Sequence, residues 1–292
     1  MNLTITGFST ALFSTWFFID ELGLLFDAGD GVSSGLLQKS GKVKSAFISH
    51  ADRDHLAGLL QFNQLNARNG LSIIYYPRNC GSFPALESFC NQFDPHTANS
   101  KWLPIEQNDS VEIGKNIWVQ AIRNNHVICN AAITKSLSYK VCKTKWKLKS
   151  EFKSLRGEAI KNLIASKGKG AVMDLVHENL ITYSGDTPVD DYSRWDGSNI
   201  LIHEATFLGG EEDAKIKKHA NKHSKLEDVL KMVSEIRVEK LVLSHFSNRY
   251  KHEQILLRVR ELCNKYRIEI PVFCVLPGEV SRDILSGEPV NS

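Results

Sequence analysis

An α/β fold whose chemistry sits on loops at strand ends is what this 292-residue sequence predicts. Three observations carry that expectation. Short apolar, β-rich runs recur along the chain. Other segments place apolar residues at helical spacing. Ligand-type polar residues follow the apolar runs again and again, where a rigid sheet holds the loops that do chemistry.

In chain order, Leu3 to Thr6, Trp16 to Ile19 and Leu24 to Phe26 read as strands, the last ending in Asp27-Ala28-Gly29-Asp30-Gly31. Val43 to Ser49 is a β-rich run, after which Leu56, Leu59, Leu60 and Leu65 recur at helical spacing. His50 to His55 therefore lies in a strand-to-helix loop. Ser72 to Tyr76 reads as a strand, Pro84 to Phe93 as a helix, and Val111 to Ile122 as a hairpin turning near Gly114. His126 falls in a loop. Leu180 to Ser184 and Ile200 to His203 are buried strands ending in Gly185-Asp186-Thr187 and Glu204-Ala205-Thr206. Ser224 is expected to cap a helix through Ile236, with Glu227 completing a capping box. Lys240 to Ser244 is a strand ending at His245, and Pro271 to Val275 is the last.

With 42% hydrophobic and 24% charged residues the composition is that of a globular chain, and no segment reads as independent, so one domain over 1–292 is expected. No Lys or Arg precedes Lys39, and the apolar run from Ala11 to Ile19 stops at Asp20. Neither an ordinary signal peptide nor a membrane span is expected, which points to a cytoplasmic protein. Six cysteines without a CxxC pair fit reduced thiols that are not ligands. The net charge of +3 is too small to imply a partner, but ten basic residues stand against Glu151 and Glu158 between Lys140 and Lys169. This segment, at about 140–170, reads as a basic insertion or arm.

The densest chemical signal is Ser49-His50-Ala51-Asp52-Arg53-Asp54-His55-Leu56-Ala57-Gly58. Alternate side chains of an extended segment share a face, so His50, Asp52 and Asp54 converge, and His55 bends back at the turn. Two imidazoles and two carboxylates so placed are ligands for Zn, Mn or Fe, and two cations are needed to balance the acidic groups.

These residues resemble the HxHxDH signature of the metallo-β-lactamase superfamily, and within it the chain is most similar to ribonuclease Z, the transfer-RNA 3′-processing endonuclease family. Asp27-Ala28-Gly29, Gly185-Asp186-Thr187, His203-Glu204-Ala205-Thr206-Phe207, His223-Ser224 and Leu243-Ser244-His245-Phe246-Ser247-Asn248-Arg249-Tyr250 look like motifs of that family in its order. The resemblance implies a four-layer αββα sandwich with metals at one edge of the two sheets, in a homodimer. It implies that His50, Asp52 and His126 hold one metal and Asp54, His55 and His245 the other, with Asp186 bridging. Asp54 would orient the nucleophile. Glu204 and His223 would form the pair that protonates the leaving oxygen, and Asp27 would fix a ligand imidazole from behind.

Three departures qualify the resemblance. Asp52 stands where the signature has its second histidine. The cofactors implied are two divalent ions, Zn by family, with a carboxylate at position 52 favouring Mn or Fe. The basic N-terminal loop of the family is missing, and its glycine-proline arm is replaced by the Lys140 to Lys169 stretch. Lys143, Lys145, Lys147, Lys149 and Lys153 are the candidate RNA contacts there. The expected function is metal-dependent phosphodiester hydrolysis on RNA, at transfer-RNA 3′ trailers. Its rivals are a phosphodiesterase acting on cyclic or other small nucleotides and a catalytically silent RNA-binding protein; no membrane partner is expected.

Overall fold

A computed structural model describes residues 2–67, 72–94, 97, 100–209 and 222–292. The first half of the chain forms a six-stranded sheet in sequence order: β1 (Ile5–Thr10), β2 (Ser14–Ile19), β3 (Leu24–Phe26), β4 (Ser45–Phe47), β5 (Ile73–Pro77) and β6 (Lys101–Ile105). The second half forms a seven-stranded sheet, again in order: β7 (Ser110–Gly114), β8 (Ile117–Arg123), β9 (Leu137–Leu148), β10 (Met173–Tyr183), β11 (Ser198–Glu204), β12 (Val238–Ser244) and β13 (Val272–Cys274). Each sheet begins antiparallel, through β3 and through β10, and continues parallel.

Strand alternation sorts the side chains into layers. Phe17, Ile19 and Phe26 point at the other sheet and meet Tyr139, Ile181, Tyr183, Ile202 and Val242. Phe18 and Leu25, one residue out of phase, face the opposite way and pack under α1 (Val32–Leu36), α3 (Leu59–Ala67) and α4 (Ser82–Phe93), which follow the short α2 (Arg53–Leu56). On the far sheet Leu201, Leu241 and Leu243 lie against α7 (Leu226–Glu235) and α8 (His252–Tyr266). A fully buried side chain of this kind contributes about 1.5–3 kcal/mol, so the three apolar layers fix the two sheets face to face. The four layers are α, β, β, α, as expected.

The remaining helices, α5 (Gly157–Lys167) and α6 (Lys169–Val172), belong to the basic segment. Beyond Lys143, β9 has lost β8 as a neighbour, and it pairs with β10 alone as far as Leu148 opposite Met173. The segment is thus the end of a two-stranded ribbon topped by two helices. The ribbon includes Asp174 and Glu178, so residues 140–183 hold ten basic and four acidic residues, a net +6, and Lys145 is already paired with Glu178.

Several boundaries differ from the sequence reading. β1 starts at Ile5 and runs to Thr10, and β4 keeps only three residues of the Val43 to Ser49 run. The hairpin turns one step later than Gly114, with Asn116 at φ 61°. Ser224 does not cap α7: its hydroxyl donates to the Thr187 carbonyl, Lys225 occupies the cap position without a side-chain bond, and Glu227 pairs with Lys265 and Tyr266. Tertiary partners have taken both residues.

Candidate metal centre

Apart from His223, the candidate metal and proton-transfer residues stand at the C-terminal ends of strands, on the same edge of the two sheets. Asp27 follows β3, His50 to His55 follow β4, His126 follows β8, Asp186 follows β10, Glu204 closes β11, and His245 follows β12. Two close approaches hold that edge together. A Cβ on Gly29 would lie 2.3 Å from the Asp54 carbonyl oxygen, so only glycine lets the loop after β3 pass the metal motif. Gly185, at φ 56°, would place a Cβ 2.8 Å from Ser49 Cβ. Leu137 N–H donates to the Ser49 carbonyl, and Tyr139 hydroxyl to that of Ile48, tying one sheet's edge to the other's.

The sequence-predicted residues come together in interlocking groups. His50 Nε2 and His126 Nε2 each lie 3.6 Å from Asp52 Oδ2. His55 Nε2 and His245 Nε2 lie 3.7 and 3.4 Å from Asp54 Oδ2. Between the groups, Asp186 reaches His50 Nε2 at 3.6 Å and His55 Nε2 at 3.3 Å with one oxygen, and His245 Nε2 at 3.4 Å with the other. The trios His50, Asp52, His126 and Asp54, His55, His245 each present one ligand atom apiece within 4.8 Å of one another.

The imidazoles are set from behind. His55 Nδ1 bonds Asp27 Oδ2 at 2.7 Å. Ser49 Oγ donates to the same carboxylate, so it accepts from His50 Nδ1, 2.9 Å away. Thr206 Oγ1 donates to Glu204 Oε2 at 2.6 Å and so accepts from His245 Nδ1 at 2.9 Å. His126 Nδ1 donates to the Lys222 carbonyl at 2.8 Å. With each Nδ1 proton engaged, every Nε2 lone pair faces the cluster, the tautomer a metal requires. His50, His55 and His126 are buried, and their Nε2 atoms have no hydrogen-bond partner. Buried nitrogens without partners are costly, and a cation among them is what they fit.

The electrostatics agree with that fit. Burial pulls the His55 imidazole down, but Asp186 and Asp27 outweigh it and hold its pKa well above the ordinary value. Burial pushes the Asp54 carboxyl up, yet His245 and His55 keep it at about 2. His126 and His50 hold Asp52 far below the usual carboxylate range. The donors thus form an anionic cup of Asp52, Asp54 and Asp186 that calls for positive charge.

Glu204 and His223 also meet. Glu204 Oε1 lies 3.2 Å from His223 Nδ1 and accepts from Thr187 N–H at 2.9 Å, while Oε2 takes Thr206 N–H. Burial lowers the His223 pKa, but Glu204 first and then Asp186 raise it to about 9. Its ring is stacked on that of His245, with centroids 5.5 Å apart. Asp27 is wholly buried and accepts from Ser49, His55 and the Tyr183 hydroxyl. Sequence reasoning missed Ser49 and Thr206 as relays; a hydroxyl beside a histidine and one two residues after Glu204 were the available signals. It also missed the Leu12 amide, which donates to Asp54 Oδ2 at 3.0 Å. The five candidate lysines lie apart from the cluster, on the ribbon and its cap.

Among solved structures, the chain aligns with the protein YhfI of Bacillus subtilis at a TM-score of 0.63 and 13% identity, covering 96% of this chain and 99% of that one. This is the metallo-β-lactamase fold. Human tRNase Z, short form, aligns at 0.59 and 18% identity, covering 95% and 98%, and yeast PDE1 at 0.60 and 12%, covering 96% and 99%. No family model matches the sequence. Among curated proteins, a chloroplastic tRNase Z of Arabidopsis thaliana is 26% identical over 282 residues, 92% of this chain and 74% of that protein. A second tRNase Z of the same plant is 26% identical over 264 residues, 86% and 88% of the two chains. The expected likeness to ribonuclease Z and the expectation of a metal-dependent hydrolase are both borne out.

Proposed function

We propose that the chain is a two-metal endoribonuclease that cuts transfer-RNA precursors at their 3′ trailers. The observation that carries the reading is the set of three buried, unpartnered imidazole nitrogens converging on Asp52, Asp54 and Asp186. His50, Asp52 and His126 would hold one divalent ion and Asp54, His55 and His245 the second, with Asp186 shared. Ions so held supply Lewis acidity toward a phosphoryl oxygen and hydroxide near neutral pH.

The chain's own residues divide the remaining work. Asp54, anchored by the Leu12 amide, orients the attacking water and takes its proton. His223, held at Nδ1 by Glu204, keeps its other nitrogen to protonate the leaving ribose oxygen, which departs poorly as an alkoxide. Asp27 and Ser49 keep His55 and His50 in the ligating tautomer. The ribbon lysines supply the phosphate grip, within one domain over 1–292 whose arm they form. A cytoplasmic, homodimeric enzyme goes with this reading; no helix among the described residues is long and apolar enough to cross a membrane.

Metal analysis with cleavage assays tests it. Two equivalents of divalent ion per chain and trailer removal from precursor transfer RNA are expected. Cyclic-nucleotide turnover without RNA cleavage would favour a small phosphodiesterase, which the absence of Lys and Arg before Lys39 suits. Asp52→His should shift preference from Mn or Fe toward Zn with activity retained, read by metal content after growth with mixed ions. Unchanged preference would remove Asp52 from the ligand set.

A further inference from the structure

We propose that the turn between β1 and β2, with the cleft beside it, is a stacking subsite for one nucleobase of the substrate strand next to the scissile phosphate; this rests on the endoribonuclease reading above. The turn is built into the metal edge. Leu12, at φ 71°, gives its amide to Asp54 Oδ2. Ala11 N–H donates to the Phe246 carbonyl at 3.2 Å, and Ser9 Oγ accepts from His245 N–H at 2.9 Å. A backbone so pinned places the next side chain, Phe13, at a fixed site a residue away from a proposed metal ligand's partner.

Phe13 does not use that position for packing: 58% of it is exposed, as is 85% of Leu12. Its ring borders a cleft of about 550 Å³ shared with Phe8, Tyr250, Asn248 and Pro277. That volume lies in the range of small-ligand sites, about 300–1,000 Å³. The lining offers aromatic rings and a prolyl ring for a flat π-face, with the Asn248 amide to donate and accept at a base edge. The cleft adjoins the metal edge through the turn itself: Phe13 follows Leu12, whose amide bonds Asp54, and the Gly278 amide on the cleft wall donates to Thr10 Oγ1 at 2.9 Å. A strand cut beside Asp54 would pass the turn that carries Phe13, so one flanking base would meet this cleft. A single base fits this mixed lining better than a lipid chain, for which Asn248 and Lys251 at the wall are poorly suited.

The test is a cycle of enzyme and substrate changes. Wild type, Phe13→Ala and Phe13→Trp are assayed on an oligoribonucleotide carrying the cleavage site, intact or abasic at either flanking nucleotide. In wild type, removing one of the two bases should raise KM about ten-fold, the usual effect of one lost base–aromatic stack. Phe13→Ala should raise KM for the intact strand by a similar factor and make removal of that base inconsequential, while Phe13→Trp keeps the dependence. Phe13 is exposed, so both variants are expected to fold, and circular dichroism checks it. If base removal and Phe13→Ala multiply independently, or if neither base matters to wild type, the subsite is refuted while the nuclease reading stands. If wild type cleaves no phosphodiester at all, both fall together.

Discussion

Two carboxylates at the metal edge do the same job in different surroundings. Asp27 sets His55 directly and His50 through Ser49; Glu204 sets His223 directly and His245 through Thr206. The Asp27 half is sealed, with Asp27, His50 and His55 all buried. The Glu204 half opens outward, since the His223 side chain is 24% exposed. One device thus has two settings: sealed, it fixes the imidazoles of His55 and His50; open, it leaves His223 where it can exchange protons with solvent.

Removing a proposed metal ligand outright should cost the most. Asp54→Ala and His245→Ala are each expected to lose metal and hydrolysis together, since the remaining carboxylates are left to repel one another; metal analysis beside a cleavage assay reads this, and full activity of either variant would sink the two-metal reading. His223→Ala strikes the open half alone. It should retain metal and slow RNA cleavage about 10²–10⁴-fold, while sparing a diester with a nitrophenolate leaving group, which needs no acid. Equal slowing of both substrates would assign His223 to binding or structure instead.

Asp27→Asn strikes the sealed half. Ligation by His55 and His50 weakens, so metal affinity should fall about 10–100-fold with no discrimination between leaving groups. A leaving-group-dependent defect would show that the halves are not functionally distinct. The smallest change is expected from the arm: replacing Lys143, Lys145, Lys147, Lys149 and Lys153 by Gln should raise KM for precursor transfer RNA and flatten its salt dependence, read at two salt concentrations. The effect is tempered by Asp174 and Glu178, which already neutralise part of the ribbon. An equal loss on a small diester would make the arm a part of the core.

The sequence made the metal edge legible because its residues follow apolar strands, and the strands had to be apolar to lie between the layers, as Leu24 to Phe26 and Ile200 to His203 do. The ordered loop residues Asp27, His50, Asp186 and His245 stood out for that reason. What stayed hidden depends on long-range pairing. β9 carries Lys and Thr on positions that face solvent once it leaves the sheet, so it lacks the alternation of a half-buried strand and reads as a charged stretch. Ser224 satisfied the local rules for a helix cap, yet Thr187, thirty-seven residues earlier, claimed its hydroxyl. The relays through Ser49 and Thr206 are likewise invisible until both partners are in place.

β10 begins in the arm at Met173 and ends at Tyr183, three residues before Asp186. Eleven residues of extended chain span roughly 35 Å at about 3.3 Å per residue. The far end of the ribbon is therefore held a set distance from the carboxylate at the centre of the cluster, and a molecule that touched both would have to span the length of one strand.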